Sequence, residues 1–198
     1  MKLILASGSA SRRAMLAAAG VPHDARHPGV DEDAAKAALR AEGHDARRIA
    51  DALAEIKALK LSCRLPGALV LGCDSVVSLD DGTMLDKAET REEQHAILQR
   101  LRGTTHRLTS AAVICADGAP VWRHVDVAKL TMRAFSDDWL DAYLDAQWPA
   151  IGGCVGGYMI EGMGAQLFSR IEGSQFTILG LPLLPLLDYL RIRGVIGS

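Results

Sequence analysis

Leu3-Ile4-Leu5-Ala6-Ser7-Gly8-Ser9-Ala10-Ser11-Arg12-Arg13-Ala14-Met15-Leu16 is the stretch on which the fold turns. Leu3 to Leu5 is a short apolar run, and the small residues Ser7-Gly8-Ser9 interrupt it, which predicts a buried strand and a turn. Ser9 is placed to cap a helix from Ala10 to Ala19, and Gly20 closes it. Met15, Leu16 and Ala19 recur at helical spacing and define its core face. Strand, small-residue turn and helix in this order open an α/β protein.

The rest of the chain continues in that idiom. Val30 to Arg40 reads as a short helix with acids in its first turn. A longer helix runs from Asp45 to Cys63, striped by Ile49, Leu53, Ile56 and Lys60, and Pro66-Gly67 ends it. Ala68 to Leu79 is β-rich, and Asp81-Gly82 signals a turn before Thr83 to Leu85. Thr90 and Glu93 match a capping box for a helix reaching Arg102. Leu108 to Cys115 and Val121 to Arg133 are strands joined around Asp117-Gly118. Ser136 caps a helix that ends near Pro149, and a glycine-rich stretch, Gly152 to Gly164, precedes a last helix after Pro182. No repeat or low-complexity linker interrupts the 198 residues, which predicts a single mixed α/β domain over residues 1–198.

Composition narrows the function. With 22 basic and 24 acidic residues the net charge is −2, so there is no basic field for a nucleic-acid polymer. Ile178 to Leu187 is the most apolar segment, but it carries two prolines and falls short of the roughly twenty residues a membrane span needs. The apolar run at Leu3 is too short for a signal peptide and its arginines follow it. Cys63, Cys73, Cys115 and Cys154 form no CxxC pair, and as small buried hydrophobes they suit a reducing compartment. A cytoplasmic protein is expected. His23 and His27 lie between Pro22 and Pro28, which breaks the helix that would align them on zinc.

Five places could carry chemistry. Arg12 and Arg13 stand where a helix dipole favours anions. Either they grip a polyphosphate bidentately over the free N–H groups behind Ser9, or they are solvated arginines on a Ser-capped helix. No GK[ST] follows the glycine, so this is not a P-loop. Asp74, in Leu71-Gly72-Cys73-Asp74-Ser75-Val76-Val77, is a carboxylate within an apolar strand. Its burial as an isolated charge would cost several kcal/mol, so it is a general base, a ligand for a hard cation, or a satisfied structural acid. Lys57 and Lys87 are surface lysines by default, but a phosphate site needs several cations. Asp31-Glu32-Asp33 suits a helix start. Glu161 is flanked by Ile160 and Gly162 in the glycine-rich stretch, where a ligand can approach the backbone.

Taken together, LILASGSASRRAML (3–16), VDE (30–32), LAEIKA (53–58), LGCDSVV (71–77), LDKA (85–88) and GGYMIEGMGAQLFSRIEGSQFTILGLPL (156–183) resemble the Maf family of nucleoside triphosphate pyrophosphatases, named for a link to septum formation. The resemblance runs almost end to end. It implies an ITPase-like α/β fold, a mixed twisted sheet flanked by helices, with two lobes, a central cleft and a homodimeric assembly. The implied reaction is metal-dependent hydrolysis of a nucleoside triphosphate to the monophosphate and pyrophosphate, with Mg²⁺, Mn²⁺ or Co²⁺ as cofactor.

By position, the resemblance makes Asp74 the proton acceptor and groups Lys57 and Lys87 with it. Ser9, Arg12 and Arg13 then bind the triphosphate, Glu32 joins Asp74 at the metal, and Ser11, Ser75 and Glu161 select the base. Glu161, and the extra residue before the arginines, look like the branch acting on 7-methyl-GTP, and a carboxylate there would accept from the guanine N1–H and N2–H₂. Ser75 looks closer to the threonine of the dTTP/UTP branch, and Ala10 and Ala88 stand where the family usually has proline. The role implied is house-cleaning of the nucleotide pool. The competing readings are a nucleotide-binding regulator of cell division acting through protein contacts, and a nucleotidyl- or phosphotransferase.

Overall fold

A computed structural model describes residues 2–197. Its backbone is a seven-stranded mixed sheet flanked by helices, as the sequence predicts. Strand β1 (Leu3–Ala6) pairs in parallel with β2 (His23–Arg26) on one side and with β3 (Leu69–Leu79) on the other. Beyond β3 come β5 (Thr105–Ala116), β6 (Ala119–Met132) and β7 (Phe168–Glu172), and the short β4 (Met84–Leu85) pairs antiparallel with β3. β5 and β6 are joined by Asp117 and Gly118, whose φ values of 49° and 77° give the doubly left-handed turn that matches strand twist.

The chain divides into two compact units. The first comprises residues up to Ser75, Thr109–Asp126, and those from Ser174 onward; the second comprises Val76–Leu108 and Val127–Gly173. The first unit packs Leu3, Leu5, Leu69 and Leu71 of the sheet with Leu16 of helix α1 (Ala10–Ala18) and with Leu186 and Leu190 of helix α7 (Leu183–Ile192). In the second, Tyr158 packs edge-on against Phe168 with His106 beside both.

The helices read as capped by Ser9, Thr90 and Ser136 begin there, whereas those read from Val30 and Asp45 begin at Glu32 and Ala46, behind residues the sequence reading does not name as caps. Ser9 Oγ accepts from the Arg12 N–H at 3.3 Å, and Asp31 and Asp45 do the same for α2 (Glu32–Ala41) and α3 (Ala46–Ser62). Thr90 caps α4 (Arg91–Leu101) and Ser136 caps α5 (Asp137–Gln147). The capping box is shifted by one residue: Glu93 reaches back to the N–H of Glu89, not of Thr90.

Burial corrects several details. Ala19 is exposed, so α1 turns only Met15 and Leu16 inward. On α3, Ile56 is 37% exposed and Lys60 donates to the Gly29 carbonyl, while Lys57 takes the inner position in the series Ile49, Leu53, Lys57, Leu61. Cys63, at the end of α3, is exposed; it is not a buried hydrophobe. The glycine-rich stretch forms two 3₁₀ turns, Ala150–Gly153 and Met163–Leu167. The sequence patterns do not mark β2, β7 or the short helix α6 (Gln175–Ile178).

One close approach positions the site. At Gly72, a Cβ would lie 2.0 Å from the Ala54 carbonyl oxygen and 2.8 Å from the Ala58 nitrogen. Only glycine lets α3 lie this close on β3, and that contact brings Lys57 against Asp74.

Candidate active site

Asp74 is the penultimate residue of the stretch of β3 that lies in the first unit, which ends at Ser75. It is 8% exposed, and Lys57, 4% exposed, answers its charge at 2.7 Å from Nζ to Oδ1. The same Nζ is 2.7 Å from Glu32 Oε2, at the start of α2, where the side chain is 40% exposed. One ammonium thus bridges two carboxylates, which satisfies the requirement that a buried charge be paired. The two acids predicted to share a metal do converge: both oxygens touch one nitrogen.

Among the described residues, no group of three or more His, Cys, Asp or Glu side chains is arranged to hold a metal. Two carboxylates nonetheless fit a hard divalent cation of the Mg²⁺ kind, which takes one or two carboxylates and completes its shell with water and phosphate oxygens.

Arg12 is held differently from the reading of a free phosphate grip. Its Nε donates to the Gly180 carbonyl at 2.7 Å, Nη1 to the Cys73 carbonyl at 3.1 Å and Ser7 Oγ at 3.3 Å, and Nη2 to Ser75 Oγ at 3.1 Å. A guanidinium has five N–H bonds, and these contacts use four of them. The Cys73 carbonyl also receives Lys57 Nζ at 3.5 Å, so two cations meet at the peptide next to Asp74. Arg13 is exposed, and its side chain makes no hydrogen bond or ion pair among the described residues. Ser9 is half-buried and capping, and Ser11 is half-buried.

Ser75 Oγ lies 2.8 Å from Ser110 Oγ, and Ser110 in turn donates to the Thr177 carbonyl at 2.8 Å. Sequence reasoning took in Ser7 with the turn before α1 and missed Ser110, Thr177 and Gly180. Gly180, in Leu179-Gly180-Leu181-Pro182, was the available signal: its φ of +95° demands glycine just after α6.

Burial pushes the Cys73 thiol up to about 11, with Arg12 and Lys57 acting against that rise, so Cys73 is not a thiolate nucleophile at neutral pH. In the second unit, Lys87 and Glu161 are both exposed and make no hydrogen bond or ion pair among the described residues. Both charges are felt at Cys154, whose thiol burial raises; Glu161 adds to the rise and Lys87 opposes it.

A cavity of about 440 Å³ also opens on the first unit, near the start of α3. Lys57 and Asp74 do not line it. One of its arginines, Arg123, is already paired with Asp51 at 2.6 Å and Glu55 at 2.7 Å.

The chain is a mixed α/β protein with a parallel β-α opening, a carboxylate in mid-sheet bridged by lysine to a second acid, and two arginines at a helix start. Residues 2–192 match the family described as Maf-like protein. The chain belongs to the Maf family. It is 52% identical over 195 residues to a protein of Sphingopyxis alaskensis, covering 98% of each chain, and 53% identical over 192 residues to one of Caulobacter vibrioides, covering 97% of this chain and 96% of that one. A protein of Ruegeria pomeroyi is 51% identical over 196 residues, covering 99% of this chain and 98% of its own. All three relatives carry the name nucleoside triphosphate pyrophosphatase, which specifies no base.

Proposed function

We propose that this protein is a nucleoside triphosphate pyrophosphatase in which Asp74 is the base. The observation that carries the reading is the Glu32–Lys57–Asp74 bridge beside the Arg12-bearing turn. Asp74 takes a proton from water as the water oxygen bonds to a phosphorus flanking the α–β bridge, and the bridging oxygen leaves, giving monophosphate and pyrophosphate. A divalent cation held by Glu32 and Asp74 would neutralise phosphate charge. Lys57 keeps both carboxylates in place and adds a positive charge where negative charge grows.

Ser9 and Arg13 at the head of α1 meet the triphosphate, Lys87 adds a further cation, and Arg12 contributes its charge from a fixed position. The role of Lys87 and the assignment of Ser11, Ser75 and Glu161 to base selection rest on the family resemblance. Within that assignment the substrate is a guanine nucleotide of the 7-methyl-GTP type, because an exposed carboxylate at Glu161 is an acceptor for N1–H and N2–H₂.

The test is an end-point assay with Mg²⁺ or Mn²⁺ over dTTP, UTP, GTP and 7-methyl-GTP, resolving pyrophosphate from phosphate. Asp74→Asn is expected to lower pyrophosphate release about 10³-fold, the range of general-base catalysis. Undiminished turnover by Asp74→Asn sinks the assigned base. Preference for dTTP or UTP sinks the role given to Glu161 and keeps the enzyme.

A further inference from the structure

We propose that Arg12 is a positioning residue, oriented by a one-way hydrogen-bond chain from the Ser75 hydroxyl through that of Ser110 to the Thr177 carbonyl, and that it aims Asp74 by fixing the Cys73–Ser75 segment instead of gripping the triphosphate. The inference rests on the reading of Asp74 as the base. It concerns residues 7, 110, 177 and 180, which the proposed mechanism does not use.

The direction of the chain follows from proton inventory. Ser110 has one hydroxyl proton, and the Thr177 carbonyl, which can only accept, takes it at 2.8 Å. The 2.8 Å contact between Ser75 and Ser110 must therefore be donated by Ser75. Ser75 Oγ, its proton committed, is left as the acceptor for Arg12 Nη2. Thr177 is anchored in turn, its Oγ1 donating to Asp126 Oδ2 at 2.5 Å.

Ser110 and Thr177 are fully buried, so solvent and ligand do not reach them; they act only through what they hold. The fit around the guanidinium is close. A Cβ at Gly180 would stand 3.2 Å from Arg12 Nε, from Nη2 and from Ser75 Oγ. The output is the Cys73 carbonyl, gripped by Arg12 on one side of Asp74, while Ser75 is gripped on the other. Arg13, which makes no side-chain contact of this kind, is left as the cation with donors to give a ligand.

The experiment measures steady-state pyrophosphate release by wild type, Arg12→Lys, Ser110→Ala and Arg13→Ala. Lysine keeps the charge but cannot serve four acceptors with a planar fork. The expected result is a kcat at least tenfold lower in Arg12→Lys and Ser110→Ala with KM within twofold of wild type, while Arg13→Ala raises KM at least tenfold. An Arg12→Lys enzyme that loses only KM, with Ser110→Ala indistinguishable from wild type, overturns the inference and leaves the pyrophosphatase standing. A wild type that releases no pyrophosphate overturns both.

Because Arg12→Lys can fail to fold, a second readout uses the unaltered protein. The side-chain Nε–H resonance of Arg12 in ¹⁵N-labelled wild type should exchange slowly and stay in place when an α,β-methylene nucleotide binds. A resonance that shifts on binding places Arg12 on the ligand and overturns the inference.

Discussion

The candidate-site charges of the first unit and those of the second live by different rules. Lys57, Asp74 and Glu32 are committed to one another, Lys57 and Arg12 to backbone carbonyls, and Arg12 also to serine hydroxyls, at distances of 2.7 to 3.5 Å. Lys87 and Glu161 are exposed and bind nothing of their own kind. The first set is organised by the fold before any ligand arrives, and the fold depends on it in return. The second set costs the fold nothing and is available to whatever comes.

Away from the site, buried polar groups are imperfectly paired in both units: Asp51 Oδ1 has no partner among the described residues in the first, and more such atoms lie in the second. His106 Nε2 meets Tyr158 Oη at 2.8 Å, but His106 Nδ1 and both amide atoms of Gln94 have no partner among the described residues. Burial pushes His106 down to about 4.

The largest stability effect should come from Lys57→Met. It leaves Asp74 buried without its cation, at a cost of about 3–5 kcal/mol, measured by urea unfolding. A loss under 1 kcal/mol would mean that the bridge is not structural.

His106 comes next. Its folded pKa lies below the unfolded value of about 6.5, so the unfolded chain binds the extra proton. Its contribution is fully present above about pH 6.5 and is lost as pH falls toward 4. The difference of about 2.5 units amounts to at most about 3 kcal/mol. His106→Phe should flatten the stability profile between pH 6.5 and 4, and an unchanged slope would show that other groups set it.

Gln94→Leu removes an unpaired amide from a fully buried position and should be neutral or stabilising by about 1 kcal/mol. A clear loss would show that the amide is satisfied by bound water. Smallest of all, Lys87→Ala and Glu161→Ala should each move unfolding free energy by less than about 0.5 kcal/mol while changing nucleotide turnover. A larger shift would erase the distinction between the two sets.

Much of this was legible in the chain because it is local. A serine or threonine before an apolar-periodic run marked each cap at Ser9, Thr90 and Ser136, since the cap bonds only three residues onward. The strands β2 and β7 were not legible. They lie at the two ends of the sheet order, and His23–Arg26 and Phe168–Glu172 are mostly exposed, so backbone pairing alone makes them strands.

Asp74 stood out as a charge in an apolar strand, and its partner Lys57 could have been read from its i+4 place after Ile49 and Leu53. The stripe through Ile56 and Lys60 runs beside this one, so the sequence marked Lys57 as a candidate without marking its burial. The Arg12 cage was beyond reach. Arg12 and Gly180 are separated by 168 positions, and no local pattern links an arginine to a carbonyl so far along the chain.

That separation has a consequence for biosynthesis. The first unit is assembled from three stretches of chain, and the last begins at Ser174. While the polypeptide is still emerging, β1 and α1 are made early, yet the carbonyl that receives Arg12 Nε and the α7 residues that cover β1 do not exist. Non-local closure of this kind is slow and comes late. The carboxylate of Asp74 therefore acquires its final setting only after the closing segment has been translated, and a nascent chain stalled before Gly180 holds Asp74 without the Arg12–Gly180 contact.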